Sequence, residues 1–269
     1  MNQVRPTAVA GAFYPGNEQV LRRDLDALLA QARPASGPLP KALIVPHAGY
    51  IYSGPIAASA YRRLEAGRGQ ITRVVLLGPA HRVAVRGLAL PQAASFATPL
   101  GLVRIDQAGC RAIQGLSQVV LSDAAHAQEH SLEVQLPFLQ KVLGEDFALV
   151  PLVVGDATAA EVAQVLERLW GGPETLIVIS SDLSHYLPYA LAQRIDHKTS
   201  DMILHLQTGI SHEQACGGTP VNGLLLAAKQ HGLTPELLDL RNSGDTAGDP
   251  EQVVGYASFA FVEEQRHVH

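Results

Sequence analysis

Three histidines stand where an apolar run breaks into a polar turn: His47 after ALIVP, His81 after VVLLGPA and His185 after LIVISSDLS. Each run is short, apolar and rich in β-branched residues, the pattern of a strand covered on both faces. Such histidines fall at the carboxyl ends of parallel strands, the edge where open α/β folds place their ligand crevices. His47 and His81 each follow a Pro-containing turn directly behind the run, which fixes the side chain at that edge. Neutral imidazoles held in this way suit zinc, iron or copper. Either one alone reads equally well as a turn histidine bonded to backbone; two with a third donor make a metal site.

The loop SGDTAGD offers that third donor. A carboxylate from Asp245 completes a two-histidine, one-carboxylate set with open positions, which favours Fe(II) as the divalent transition metal over Zn or Cu. The competing reading is a tight turn in which Asp245 and Asp249 accept backbone N–H groups. His185 follows Asp182 by three residues, so an imidazole oriented by that carboxylate becomes the acid/base group of the site. His130, flanked by Glu129 and Glu133, either supplies a hydrogen bond behind a metal ligand or caps its helix. His126, in the loop before it, is a further candidate. A serine nucleophile at Ser180 or Ser181 with His185 and Asp182 is disfavoured, because the G-x-S-x-G elbow is absent and triads rarely come from one short turn.

The elements that must position these residues are legible as alternating strands and helices. Strands are expected at 41–45, 74–77, 85–90, 147–154, 176–180, 236–240 and 253–262, with a β-excursion in FATPLGLVRID. Between them, leucines at helical spacing mark a helix after Asn17, another through LEVQLPFLQKVL and a third opened by the capping box of Thr158 and Glu161. Ser53 and Pro55 are expected to start a helix, as are Asp106, Tyr189 and the pair Thr219–Pro220. The segment ARPASGPLP reads as a connector. This alternation predicts an α/β fold, a mostly parallel central sheet flanked by helices, with antiparallel additions near the end.

Composition sets the remaining bounds. With 269 residues, 47% hydrophobic and 17% charged, the chain is expected to form one domain over 1–269 with a sizeable core. A net charge of −5 gives no basic footprint for nucleic acid and no polybasic segment for an anionic membrane. No apolar run reaches the roughly 20 residues of a membrane helix, and MNQVRPTAV lacks a secretory apolar region, so a cytoplasmic location is the expectation. Cys110 and Cys216 lack metal-ligand spacing with one another and are read as two free, buried thiols. His197, His205, His212, His231, His267 and His269 are read as surface or packing residues. No glycine-rich turn has the pattern that cradles phosphate.

The segments AGAFYP, VPHAGYIYSG, LLGPAHR, ATPLG, EHSLEVQLPFL, SSDLSHY and VVGYASFAF occur in an order and spacing that resemble the Memo family, whose prokaryotic members are called AmmeMemoRadiSam system protein B. The resemblance covers nearly the whole chain. It implies a fold similar to class III extradiol dioxygenases, with His47 and His81 as metal-binding histidines and Asp182 and His185 as the polar pair of the same pocket. Animal members place a cysteine ligand in the loop before the last strand; counted back from Gly255–Tyr256, that position is Thr246 here, beside Asp245. Threonine is a poor soft ligand, which makes Asp245 the expected donor and the site a harder one. The resemblance implies a metal-dependent, dioxygenase-like oxidoreductase on an unspecified small-molecule or peptide ligand, or a non-catalytic binding module. It also implies a radical SAM protein and an AMMECR1-type protein as partners.

Overall fold

The computed structural model describes residues 3–34 and 36–263, and His267 and His269 lie outside the described residues. The strands are β1 (Val4–Arg5), β2 (Ala42–Val45), β3 (Arg73–Pro79), β4 (Leu88–Leu90), β5 (Ser95–Thr98), β6 (Gly101–Ile105), β7 (Val119–Leu121), β8 (Ala148–Val154), β9 (Thr175–Ser180), β10 (Leu233–Asn242) and β11 (Gly255–Glu263). The helices are α1 (Glu18–Gln31), α2 (Tyr50–Tyr61), α3 (Gln107–Ile113), α4 (Asp123–Ala127), α5 (Leu136–Leu143), α6 (Ala159–Leu169), α7 (Tyr189–Leu204) and α8 (Gly218–Gln230).

All the strands join one sheet. Its main path runs β1-β5-β6-β8-β3-β9-β2-β11-β10, with β4 and β7 branching from β8. Five neighbours, β6, β8, β3, β9 and β2, are parallel, while β11 and β10 close one side antiparallel. The apolar runs explain this placement: β2 and β9 are buried at every residue, as parallel strands covered on both faces must be. Helices α1, α2 and α5 pack with one another, and α3, α6 and α8 form a second group, so the α/β expectation holds. Thr158 and Glu161 do form the capping box of α6.

Two local expectations are corrected. Helix α2 starts at Tyr50 rather than at Ser53, and Pro55 sits inside it. The reason is tertiary: Tyr50 N donates to the Phe13 carbonyl at 2.8 Å, and the Ser53 hydroxyl turns back to the Ala48 carbonyl at 2.8 Å instead of capping. The early start brings the helix N-terminus up against His47. The stretch from Glu129 also differs, since α5 begins only at Leu136 after a 3-10 turn at Glu133–Gln135. Glu129 and His130 therefore lie in the turn ahead of the helix, beside the end of β3.

Candidate metal centre

Strand β9 lies between β3 and β2, and Ile179 pairs with Leu77 on one side and Ile44 on the other. The three strands thus end at one level. His47 follows Ile44 by three residues, Asp182 follows Ile179 by three and His81 follows Leu77 by four, so all emerge on the same edge. The ring centres of His47 and His81 are 5.3 Å apart. Both face a cavity of about 640 Å³, which His130, Asp182, His185 and the aromatic side chains of Phe13, Tyr52, Tyr186 and Tyr256 also line. Tyr186 holds its backbone in the left-handed region, with φ 54°, a strain of the sort found at functional sites.

The hydrogen bonds behind the two histidines fix their tautomers. The Ser180 hydroxyl donates to the Ser131 carbonyl at 2.6 Å and accepts from Gln135 Nε2 at 2.8 Å. Its proton is committed, so at 2.8 Å from His47 Nδ1 it accepts, and His47 carries its proton on Nδ1. His81 Nδ1 lies 2.8 Å from Oε1 of Glu129, and an ionised carboxylate only accepts. Burial alone would raise the Glu129 carboxyl, but the His81 side chain and the backbone N–H groups of His81 and Ser131 outweigh it and hold the group down at about 2. In both rings the Nε2 lone pair is left for the cavity, the arrangement seen behind metal-ligating histidines. His47 is almost wholly buried, and that burial, with His130 and His81 nearby, pushes its pKa well down and keeps it neutral.

The third donor at this point is sulfur. His47, His81 and Cys216 each offer a ligand atom, and these atoms lie within 4.8 Å of one another, with Cys216 Sγ at 3.4 Å from His47 Nε2. Asp245 is elsewhere. One of its carboxylate oxygens accepts from the Tyr189 hydroxyl at 2.6 Å and the other from Asn242 N at 2.9 Å, where it completes a capping box on a short 3-10 turn. The expectation of Asp245 as ligand is thereby corrected, in favour of the turn reading of SGDTAGD. The preference for iron over other ions, which rested on that carboxylate, loses its donor. Asp249 does line the cavity, with one oxygen accepting from Glu251 N at 2.8 Å.

The remaining expected residues sort by what they touch. His185 lines the cavity, but its ring is held by the Leu183 carbonyl, 2.8 Å from Nδ1, rather than by Asp182. Asp182 instead accepts His47 N at 2.7 Å; burial raises its carboxyl, partly offset by the backbone N–H groups of His47 and Ala48. His130 stacks on His81 with ring centres 4.6 Å apart and lies tilted against Phe13 at 4.8 Å, and its buried Nδ1 has no hydrogen-bond partner, with Glu129 Oε1 3.4 Å away. Glu133 is not behind any ligand. It is fully buried and accepts from the Arg5 guanidinium, Ala8 N, Val9 N and the Tyr14 hydroxyl, which ties the N-terminal segment to the core. His126 is structural, with Nε2 bonded to the Ala89 carbonyl at 2.9 Å. Neither serine of the disfavoured triad is free to attack: Ser180 is committed as above, and Ser181 Oγ donates to the Asp182 carbonyl.

Sequence reasoning missed Cys216, Ser180 in its supporting role and Gln135. A glutamine inside the apolar run LEVQLPFL was a signal for a buried hydrogen-bonding role. Cys216 carried only the hint of the two glycines after it.

The fold and site define an α/β protein with a histidine-rich pocket at the carboxyl edge of a parallel sheet. Residues 5–260 match the family model of Memo-like proteins. A MEMO1 family protein of Aquifex aeolicus is 38% identical, over 97% of this chain and 100% of its own. One from Methanopyrus kandleri is 37% identical, over 96% of this chain and 98% of its own. The chain belongs to the Memo family. Among solved structures, the uncharacterized protein JW3007 of Escherichia coli K12 shares the fold, with a TM-score of 0.55 and 16% identity over 81% of this chain and 98% of that one.

Proposed function

We propose that this protein is a metal-dependent, dioxygenase-like oxidoreductase that holds a divalent transition metal through Nε2 of His47 and Nε2 of His81, and takes a small organic ligand in the adjoining cavity. The observation that carries the reading is the pair of fixed tautomers. Both Nδ1–H groups are occupied from behind, so two neutral imidazoles present lone pairs to one space. When bound, such an ion supplies a Lewis-acidic centre and, if iron or copper, a redox-active one.

The residues around it have distinct tasks. Ser180 and Glu129 orient the two rings, while Asp182 holds the backbone of His47 in place. His185, with Nδ1–H given to the Leu183 carbonyl, turns its Nε2 lone pair outward and is placed to take a proton from a ligand hydroxyl in the cavity. The aromatic walls of Phe13, Tyr52 and Tyr256 exclude water from the inner face of that ligand.

The test is metal content by mass spectrometry after anaerobic purification. Wild-type protein is expected to carry about one ion per chain, and the double variant His47→Ala, His81→Ala nearly none. Unchanged stoichiometry in the double variant overturns the reading. Oxygen uptake by metal-loaded protein with a panel of phenols then separates an oxidoreductase from a binding module, which would hold metal yet consume nothing.

A further inference from the structure

We propose that Asp196, buried on α7, is the positioning residue that governs the proton chemistry of His185, acting on the ring through the Leu183–Ser184 peptide unit. The inference rests on the reading of His185 as the proton acceptor of the cavity, and supplies the carboxylate partner that Asp182 does not provide.

The connection runs through one planar amide. His185 Nδ1 lies 2.8 Å from the Leu183 carbonyl, which only accepts, so the ring carries its proton on Nδ1. The N–H of the same peptide unit, Ser184 N, donates to Asp196 Oδ1 at 3.1 Å. A negative charge beside that N–H polarises the amide and makes its carbonyl a stronger acceptor. Asp196 thus does across a peptide bond what a carboxylate bonded directly to an imidazole does.

The fold makes room for this carboxylate. Ala192, Asp196, Thr199, Ser200 and Ile203 form the buried face of α7, and Asp196 is 2% exposed. A Cβ on Gly255 would overlap the Asp196 carboxyl group, so only glycine at the start of β11 admits it. Gly255 also fixes the turn that carries His185: Leu183 N donates to the Gly255 carbonyl and Gly255 N to the Ser184 carbonyl, each at 2.8 Å. Burial raises the Asp196 carboxyl, opposed by the Ser184 N–H and by nearby His197 and His185. Asp182, on the same turn as His185, is committed to the end of β2, where it accepts His47 N at 2.7 Å.

When a ligand hydroxyl gives its proton to His185 Nε2, the O–H bond breaks and an N–H bond forms. The ring becomes an imidazolium and the ligand an oxyanion, and the Asp196 charge favours that imidazolium. Asp182 and Tyr186 face His185 from its own turn, and His47 from the end of β2. From α7 come Asp196 and its neighbour His197, and across the cavity Arg82, Asp249 and Tyr256. Of these groups, Asp196 is the one joined to the ring by hydrogen bonds.

Asp196→Asn removes the charge and keeps an oxygen for Ser184 N, which separates electrostatics from mere support. In the full chain, kept free of paramagnetic ions, NMR of the histidine ring nitrogens should show wild-type His185 as the Nδ1–H tautomer. In Asp196→Asn the Nε2–H tautomer should appear and the titration midpoint of His185 should fall by about one pH unit, with the melting temperature little changed. A wild-type tautomer and midpoint in that variant overturn the proposal and leave Asp196 as a support for the turn. If the variant folds poorly, carbon NMR of the aspartate carboxyl groups in the wild-type chain decides instead. The Asp196 signal should shift as His185 titrates, and a signal that stays fixed through that titration overturns the proposal. None of these readouts involves a metal, so the relay can fail while the His47–His81 reading stands. A wild-type chain that carries no metal removes that reading and leaves the relay.

Discussion

At the scale of single residues, the site is decided by where protons sit. Glu129 accepts His81 N with Oε2 and His81 Nδ1–H with Oε1, and Oε1 also takes the N–H groups of His130 and Ser131. One carboxylate therefore sets the turn after β3, the ring of His81 and its tautomer together. In Glu129→Gln an NH₂ group replaces one acceptor and faces a backbone or ring N–H donor. Metal affinity, measured by competition against a chromophoric chelator, should fall about 10- to 100-fold, as for other partners behind metal ligands. An unchanged affinity would mean that His81 does not need this partner to present Nε2. The role of Glu129 was only half legible in EHSLEVQ, where it could be named as a neighbour of His130 but not as the acceptor for His81, which lies 48 residues earlier.

At the scale of elements, the N-terminal segment forms a wall of the site and is held there by one buried carboxylate. Glu133 gathers the charge of Arg5, two backbone N–H groups and the Tyr14 hydroxyl, and the segment so fixed places Phe13 against His130 and caps Tyr50 at the start of α2. Removing one partner of a buried ion pair leaves the other charge uncompensated, which costs about 3–5 kcal/mol. Glu133→Ala should lower stability in chemical denaturation by about that amount, and limited proteolysis should first cut within Val4–Pro15. Loss of stability without early cleavage there would show that Glu133 stabilises the core alone. The same element explains why Ser53–Pro55 misled: the local cap signal was real, but the Phe13 carbonyl offered Tyr50 a partner one turn earlier.

At the scale of the whole molecule, acid stability follows from groups buried on the site's side of the sheet. Burial pushes His126 down to about 4 from its ordinary 6.5, partly opposed by its bond to the Ala89 carbonyl. A histidine whose folded pKa is depressed supports the fold fully above 6.5, and that support is lost as pH falls toward 4, because the unfolded chain takes up the proton first. The difference amounts to on the order of 3 kcal/mol. Glu129, held at about 2 against an ordinary 4.5, adds a second loss below pH 4.5. Denaturant unfolding of metal-free protein across pH should show stability falling from 6.5 downward. In His126→Gln the limb between 6.5 and 4 should become shallower, with the buried His47 and His130 supplying what remains, while the loss below 4.5 persists. An unaltered upper limb in that variant would assign it to other groups.

The sequence by itself determined the α/β alternation, the buried parallel strands and the emergence of His47, His81 and His185 on one edge, because these depend on apolar patterning and on residues within a few positions of each strand end. It also determined the capping box at Thr158 and the hairpin in FATPLGLVRID, which are local interactions. Only the tertiary structure decided which distant groups meet at that edge. Cys216 reaches His47 across 169 positions, Ser180 reaches it across 133, and Glu133 reaches Arg5 across 128. No periodicity encodes such meetings. They follow from strand order in the sheet, which places β9 between β3 and β2. The choice between Asp245 and Cys216 was of this kind, since both sit in glycine-containing loops and only the packing of the α7–α8 loop against Ser181 brings one of them to the histidines.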